Sequence, residues 1–141
     1  MRMRTTVYLL LLLAMSVSGC SRTNPNQGNV SGNVILDGKP IERGTIAFLP
    51  IGGTQGAATG GPIENGHFEL VGQHGPTVGW NRVEIRSPRK TGRTIPLGFG
   101  ASGEMIEEET EAVAPQFNID STLKTEITPG DNHCDFEVSA K

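Results

Sequence analysis

Among the side chains that could do chemistry are two cysteines, Cys20 and Cys134, and three histidines, His67, His74 and His133. The histidines fall at no metal-ligand spacing, either among themselves or with the cysteines. No Gly-x-Ser-x-Gly, His-Glu-x-x-His or phosphate loop occurs. Gly52-Gly53 and Gly60-Gly61 precede no helix-forming run, so they read as turn residues. The acidic stretch from Glu107 to Glu111 lacks the spaced ligands and central glycine of a calcium loop. Cys134 alternates with Phe136 and Val138, the pattern of a small hydrophobe facing a core, while His133 points to the other side of the same strand. No catalytic constellation, metal site or cofactor site emerges. The remaining candidate for recognition is Trp80, the single tryptophan, which lies opposite Val83 and Ile85 on its strand. An exposed indole there would stack on a sugar or anchor a protein partner, with Phe99 as a second aromatic.

Cys20 has a different context. Arg2 and Arg4 precede an apolar run, Val7 to Met15, built on five leucines. The run is shorter than the roughly 20 residues that cross a bilayer. A basic start, a short apolar core and then small residues is the pattern of an export signal. Val17-Ser18-Gly19-Cys20 resembles a bacterial lipobox. The resemblance implies a diacylglyceryl group on the Cys20 thiol, cleavage between Gly19 and Cys20, and acylation of the new amino group. One acyl chain holds a protein only marginally, whereas two or three hold it firmly, at about 0.8 kcal/mol per buried methylene. The expected organisation is a signal peptide over residues 1–19, a lipidated cysteine and polar tether over 20–27, and one domain over 28–141. The expected address is the periplasmic or outer-membrane face. Ser21 in place of an aspartate favours the outer membrane under the best-known sorting rule.

Composition narrows the classes further. Without residues 1–19 the chain keeps ten Lys and Arg against fifteen Asp and Glu. Such a chain has no electrostatic footprint for nucleic acid. Nineteen glycines, nine prolines and few aromatics speak against a helical protein. With Cys20 lipidated, Cys134 has no partner within the chain.

Alternating apolar residues predict strands over residues 29–36, 44–50, 57–63, 67–71, 79–87, 122–128 and 133–139. Asp37-Gly38-Lys39-Pro40 and Pro129-Gly130-Asp131-Asn132 read as turns, and Asn65-Gly66 as a type I′ hairpin turn. Seven short strands without a helix predict an all-β, antiparallel β-sandwich of two sheets over one core. Residues 88–115 interrupt the pattern. They open basic at Arg89, Lys90 and Arg93 and become acidic from Glu104 to Glu111, with Ile95, Leu97, Phe99, Met105 and Ile106 scattered through them. A stretch of this length is either a solvated excursion with a short hairpin or a partner-binding arm.

The run Val30-x-Gly32-x-Val34-x-x-Asp37-Gly38-x-Pro40, then Gly44-x-Ile46-x-Phe48-x-Pro50 and Ile63-x-x-Gly66-x-Phe68-x-Leu70, carries a likeness. Val78-Gly79-x-x-x-Val83-x-Ile85 continues it, as do Phe117-Asn118-x-x-Ser121-x-Leu123 and Pro129-Gly130-x-Asn132-x-x-x-Phe136. Over residues 28–139 the chain resembles bacterial lipoproteins with a carboxypeptidase-regulatory-like, transthyretin-like domain. The resemblance implies a seven-stranded sandwich that accompanies other activities and is not itself catalytic. The enzymes of the related fold end in Tyr-Arg-Gly-Ser, whereas this chain ends Glu137-Val138-Ser139-Ala140-Lys141. The expectation is therefore a non-catalytic, membrane-anchored envelope lipoprotein. Its partners would be membrane lipid through acylated Cys20 and an envelope protein or glycan. The alternative is a carbohydrate-binding module displayed at the envelope.

Overall fold

The computed structural model describes residues 24–98 and 103–141. The architecture is all-β. One strongly curled, mostly antiparallel sheet encloses the core, and a separate two-stranded sheet stands off it. The strands are β1 (Gly28–Leu36), β2 (Lys39–Pro40), β3 (Arg43–Pro50), β4 (Thr59–Glu64), β5 (His67–Leu70) and β6 (Gly79–Arg86). Then follow β7 (Pro88–Pro96), β8 (Met105–Glu111), β9 (Lys124–Ile127), β10 (Gly130–His133) and β11 (Phe136–Val138). Two single 3-10 turns, Gly72–His74 and Pro115–Phe117, are the helical content of the described residues.

In the main sheet the order is β10-β1-β5-β4-β3-β6-β9, with β2 and β11 also paired to β1. The pairs are antiparallel except β1 with β10 and β1 with β11, which run parallel. β9 and β10 stand at the two ends of this path, yet only Thr128 and Pro129 separate them in sequence. The sheet therefore curls until its edges meet. Asn132 stitches the closure: its Oδ1 accepts from the Thr128 N–H and Oγ1, and its Nδ2 donates to the Asn29 carbonyl at 2.9 Å.

The curl has a simple cause. The strands around the core alternate, so the inward set Val30, Val34, Ile46, Phe48, Ile63, Phe68, Val83, Ile85 and Ile127 forms one fully buried cluster. Phe68 lies between Phe48 and Phe136, with ring centroids 6.2 Å apart in both pairs. Two tight turns set register. Asp37-Gly38 and Asn65-Gly66 each hold positive φ at both central residues, the type I′ geometry that matches strand twist.

The structure departs from the expected strands in three places. The predicted turn at 129–132 and strand at 133–139 are instead two strands, β10 and β11, with a break at Cys134-Asp135. The break arises because the Cys134 backbone passes over Gly32, where a Cβ would overlap the Cys134 carbonyl. Asp135 then replaces a ladder partner, its Oδ1 accepting from the Asn33 N–H at 2.8 Å. Secondly, the two expected sheets are one hydrogen-bonded path. Thirdly, the short hairpin allowed within the 88–115 excursion is a longer one, β7–β8, paired from Pro88↔Glu111 to Pro96↔Met105. Its last residues return to the body, and Val113 is fully buried.

Candidate functional site

The molecule has two poles, and the candidate residues divide between them. At the first, the chain entering β1 is bonded to the residues that precede β6. The Gly28 N–H donates to the Pro76 carbonyl at 3.0 Å and the Val78 N–H to the Asn26 carbonyl at 2.8 Å. A bridge pairs Gln27 with Thr77. Inside this pole Asn81 is fully buried on the core side of β6. Its Nδ2 donates to the carbonyls of Thr77 and Gly79 at 2.8 and 2.9 Å, which fixes the entry to the strand.

Trp80 follows on the outer side, next to Ile51, whose N–H donates to the Trp80 carbonyl at 2.9 Å. It is 47% exposed and faces Glu126 across the β6–β9 ladder. The outer row continues with Arg82, Glu84 and Arg86, and the Glu84 carboxylate bridges both arginines, at 2.7 Å from Arg82 and 3.7 Å from Arg86. Trp80 therefore presents a large amphipathic ring on an otherwise charged surface.

At the opposite pole β6 runs through Ser87 into the hairpin. Both strands of this arm leave the body, and every residue of β7 is exposed. Its root is held by Glu111, whose Oε1 accepts from the N–H groups of Ser87 and Val113, both at 2.9 Å. Arg43 on β3 reaches the arm through an ion pair with Glu109 at 2.7 Å. Along the arm, Lys90 pairs with Glu107 at 2.6 Å, and Arg93 grips Glu108 through Nε at 2.9 Å and Nη2 at 2.8 Å. The Arg93 fork and the Thr91 hydroxyl hold the Glu108 carboxyl down at about 2. Beyond these pairs Ile95, Leu97, Met105 and Ile106 stand exposed, with Ile95 directly across from Ile106.

Between the arm's root and the β1–β2 turn lies an open cleft of about 770 Å³. Lys39, Arg43, Arg89 and Lys90 line it against Asp37 and Glu42. Arg43 and Lys90 are already paired with arm carboxylates. Its hydroxyl, Ser87 Oγ, donates to the Arg43 carbonyl at 2.9 Å. No histidine lines it.

The three histidines sit apart. His67 is on β5 just past the Asn65-Gly66 turn, His74 is in the first 3-10 turn, and His133 ends β10. All are exposed. His133 Nε2 lies 3.2 Å from Asp135 Oδ2, an exposed pair next to a carboxylate already committed to Asn33. The Asn33 backbone and side-chain donors hold the Asp135 carboxyl below its ordinary value. Cys134 turns inward from His133, with Sγ 3.6 Å from the Thr125 Oγ1. No group of three His, Cys, Asp or Glu able to hold a metal occurs among the described residues. Gly19, Cys20 and Phe99 lie outside those residues.

Sequence reasoning allowed a short hairpin in this stretch but did not find its ion-paired register or the buried return at Ala112–Ala114. The charge pattern carried the signal, since basic residues at 89–93 face acidic ones at 107–111 across the ladder. No protein-family model, curated protein or solved structure matches the chain.

Proposed function

We propose that the protein is a membrane-anchored, non-catalytic envelope lipoprotein whose β-domain, a variant of the transthyretin-like sandwich, carries a partner-binding arm. Acylated Cys20 holds one pole at the membrane, and the β7–β8 arm springs from the other. The observation that carries this reading is the arm's tip. Ile95, Leu97, Met105 and Ile106 are all exposed, whereas Lys90, Arg93, Glu107 and Glu108 of the same hairpin are paired with one another. An exposed apolar cluster on a projecting hairpin is what a protein contact uses as an anchor.

The experiment is crosslinking from intact membranes, wild type beside Ile95→Ser/Met105→Ser. The reading expects a specific crosslinked partner with wild type and its loss in the double variant. Equal capture by both contradicts it.

A second reading is a glycan-binding module at Trp80, and the exposure of that indole favours it. It predicts a change in the emission of the single tryptophan on titration with envelope glycans. Emission unchanged by saturating glycan counts against it.

A further inference from the structure

The tether is shorter than the chain preceding the domain suggests. Asn24 already accepts a hydrogen bond from the Gln27 N–H at 3.0 Å, and Asn26 and Gly28 are bonded to the 76–78 segment. The Gln27 side chain adds a bond to the Gln73 carbonyl at 3.1 Å. Free length between Cys20 and Asn24 is four peptide units, about 14 Å at full extension. β1 alone, nine residues long, spans about 30 Å. The domain cannot turn its far pole to a membrane that holds Cys20.

Of the two poles only the near one is within reach of lipid, and it carries two exposed apolar side chains. Trp80 is 47% exposed on β6, and Val71 is 49% exposed beside Gly72, whose N–H is bonded to the Asn29 side chain. An indole suits the boundary between headgroups and acyl chains, where its ring is apolar and its N–H is wet. Glu126, across the ladder from Trp80, together with the neighbouring Lys124 and Arg82, keeps this surface at headgroup depth.

We propose that the Trp80 pole rests on the membrane surface as an interfacial contact, with the indole in the headgroup layer and the hairpin arm directed away. The contact recognises a zwitterionic lipid surface, since acidic and basic side chains surround the indole together. This deepens the anchored-lipoprotein reading and rests on it.

Trp80 is the single tryptophan, so its emission reports the contact without labelling. The full chain, purified from membranes, is reconstituted into phosphatidylcholine vesicles, some brominated near the headgroup end of the acyl chains. Flotation of the vesicles reports anchoring separately. The expected result is protein that floats, with Trp80 emission blue-shifted and lost in the brominated vesicles. Protein that floats with unquenched Trp80 overturns the inference and leaves the anchor standing. Protein that does not float contradicts both. A second form, Trp80→Phe with Leu97→Trp, moves the reporter to the arm and is expected to stay unquenched. Quenching equal to wild type would mean that no pole is preferred, and would also overturn the inference.

Discussion

At the scale of single residues, the fold depends on a few positions where a side chain or its absence decides what the backbone can do. Gly32 is the sharpest case. It was legible in the sequence as an inward position of an alternating strand, between Val30 and Val34. The reason for glycine there was not legible, because it lies about a hundred residues away in the path of Cys134. Gly32→Ala is expected to destabilise the domain by about 1–3 kcal/mol through backbone overlap. Chemical denaturation measures this, and an unchanged midpoint would contradict the close approach. Asn81 is similar. Its place on the Val83 and Ile85 face follows from alternation, but only the structure shows the two carbonyls that satisfy its buried Nδ2, while its Oδ1 is left without a partner.

At the scale of elements, the strands with strict alternation were readable and the arm was not. Residues 79–87 show their two faces in sequence, and β6 follows them. The arm contains Pro88, Gly92 and Pro96, and its pairing shifts register between Lys90 and Thr94. A glycine at φ 78° inside a bulge, with two prolines, erases the period-2 signal. With no buried face, hydrophobic patterning has nothing to record. The ion pairs hold its register instead, and they make it sensitive to acid. The Glu108 carboxyl lies at about 2 against an ordinary 4.5. A lowered carboxyl contributes its full stabilisation above 4.5 and loses it as pH falls toward 2. Cross-strand NMR contacts between Ile95 and Ile106 are expected to persist at neutral pH and fade across that window. Fading that begins well above 4.5 would show that another group controls the arm. Ile95 and Met105 are exposed, so Ile95→Ser/Met105→Ser is expected to shift stability by no more than about 0.5 kcal/mol. A larger loss in thermal unfolding would mean that the tip packs on the body.

At the scale of the whole molecule, sequence patterning gave the all-β class and most of the core. It did not give the closure, because strands paired in parallel at β1 come from opposite ends of the domain. Nor could alternation reveal that the tether and the arm lie at opposite ends of the sheet. That polarity puts an exposed indole at the end where the chain enters β1 and exposed apolar residues on the arm at the other, which is the arrangement the proposed lipid anchor would use. All of it depends on the anchor. The most direct test is the intact mass and membrane fractionation of wild type beside Cys20→Ser. The wild-type chain is expected to begin at Cys20, carry the mass of its acyl groups and stay with the membrane. The variant should keep its leader or be released. Two forms both cleaved, unacylated and soluble would contradict the lipoprotein reading, and Cys20 and Cys134 would then have to be tested as a disulfide pair.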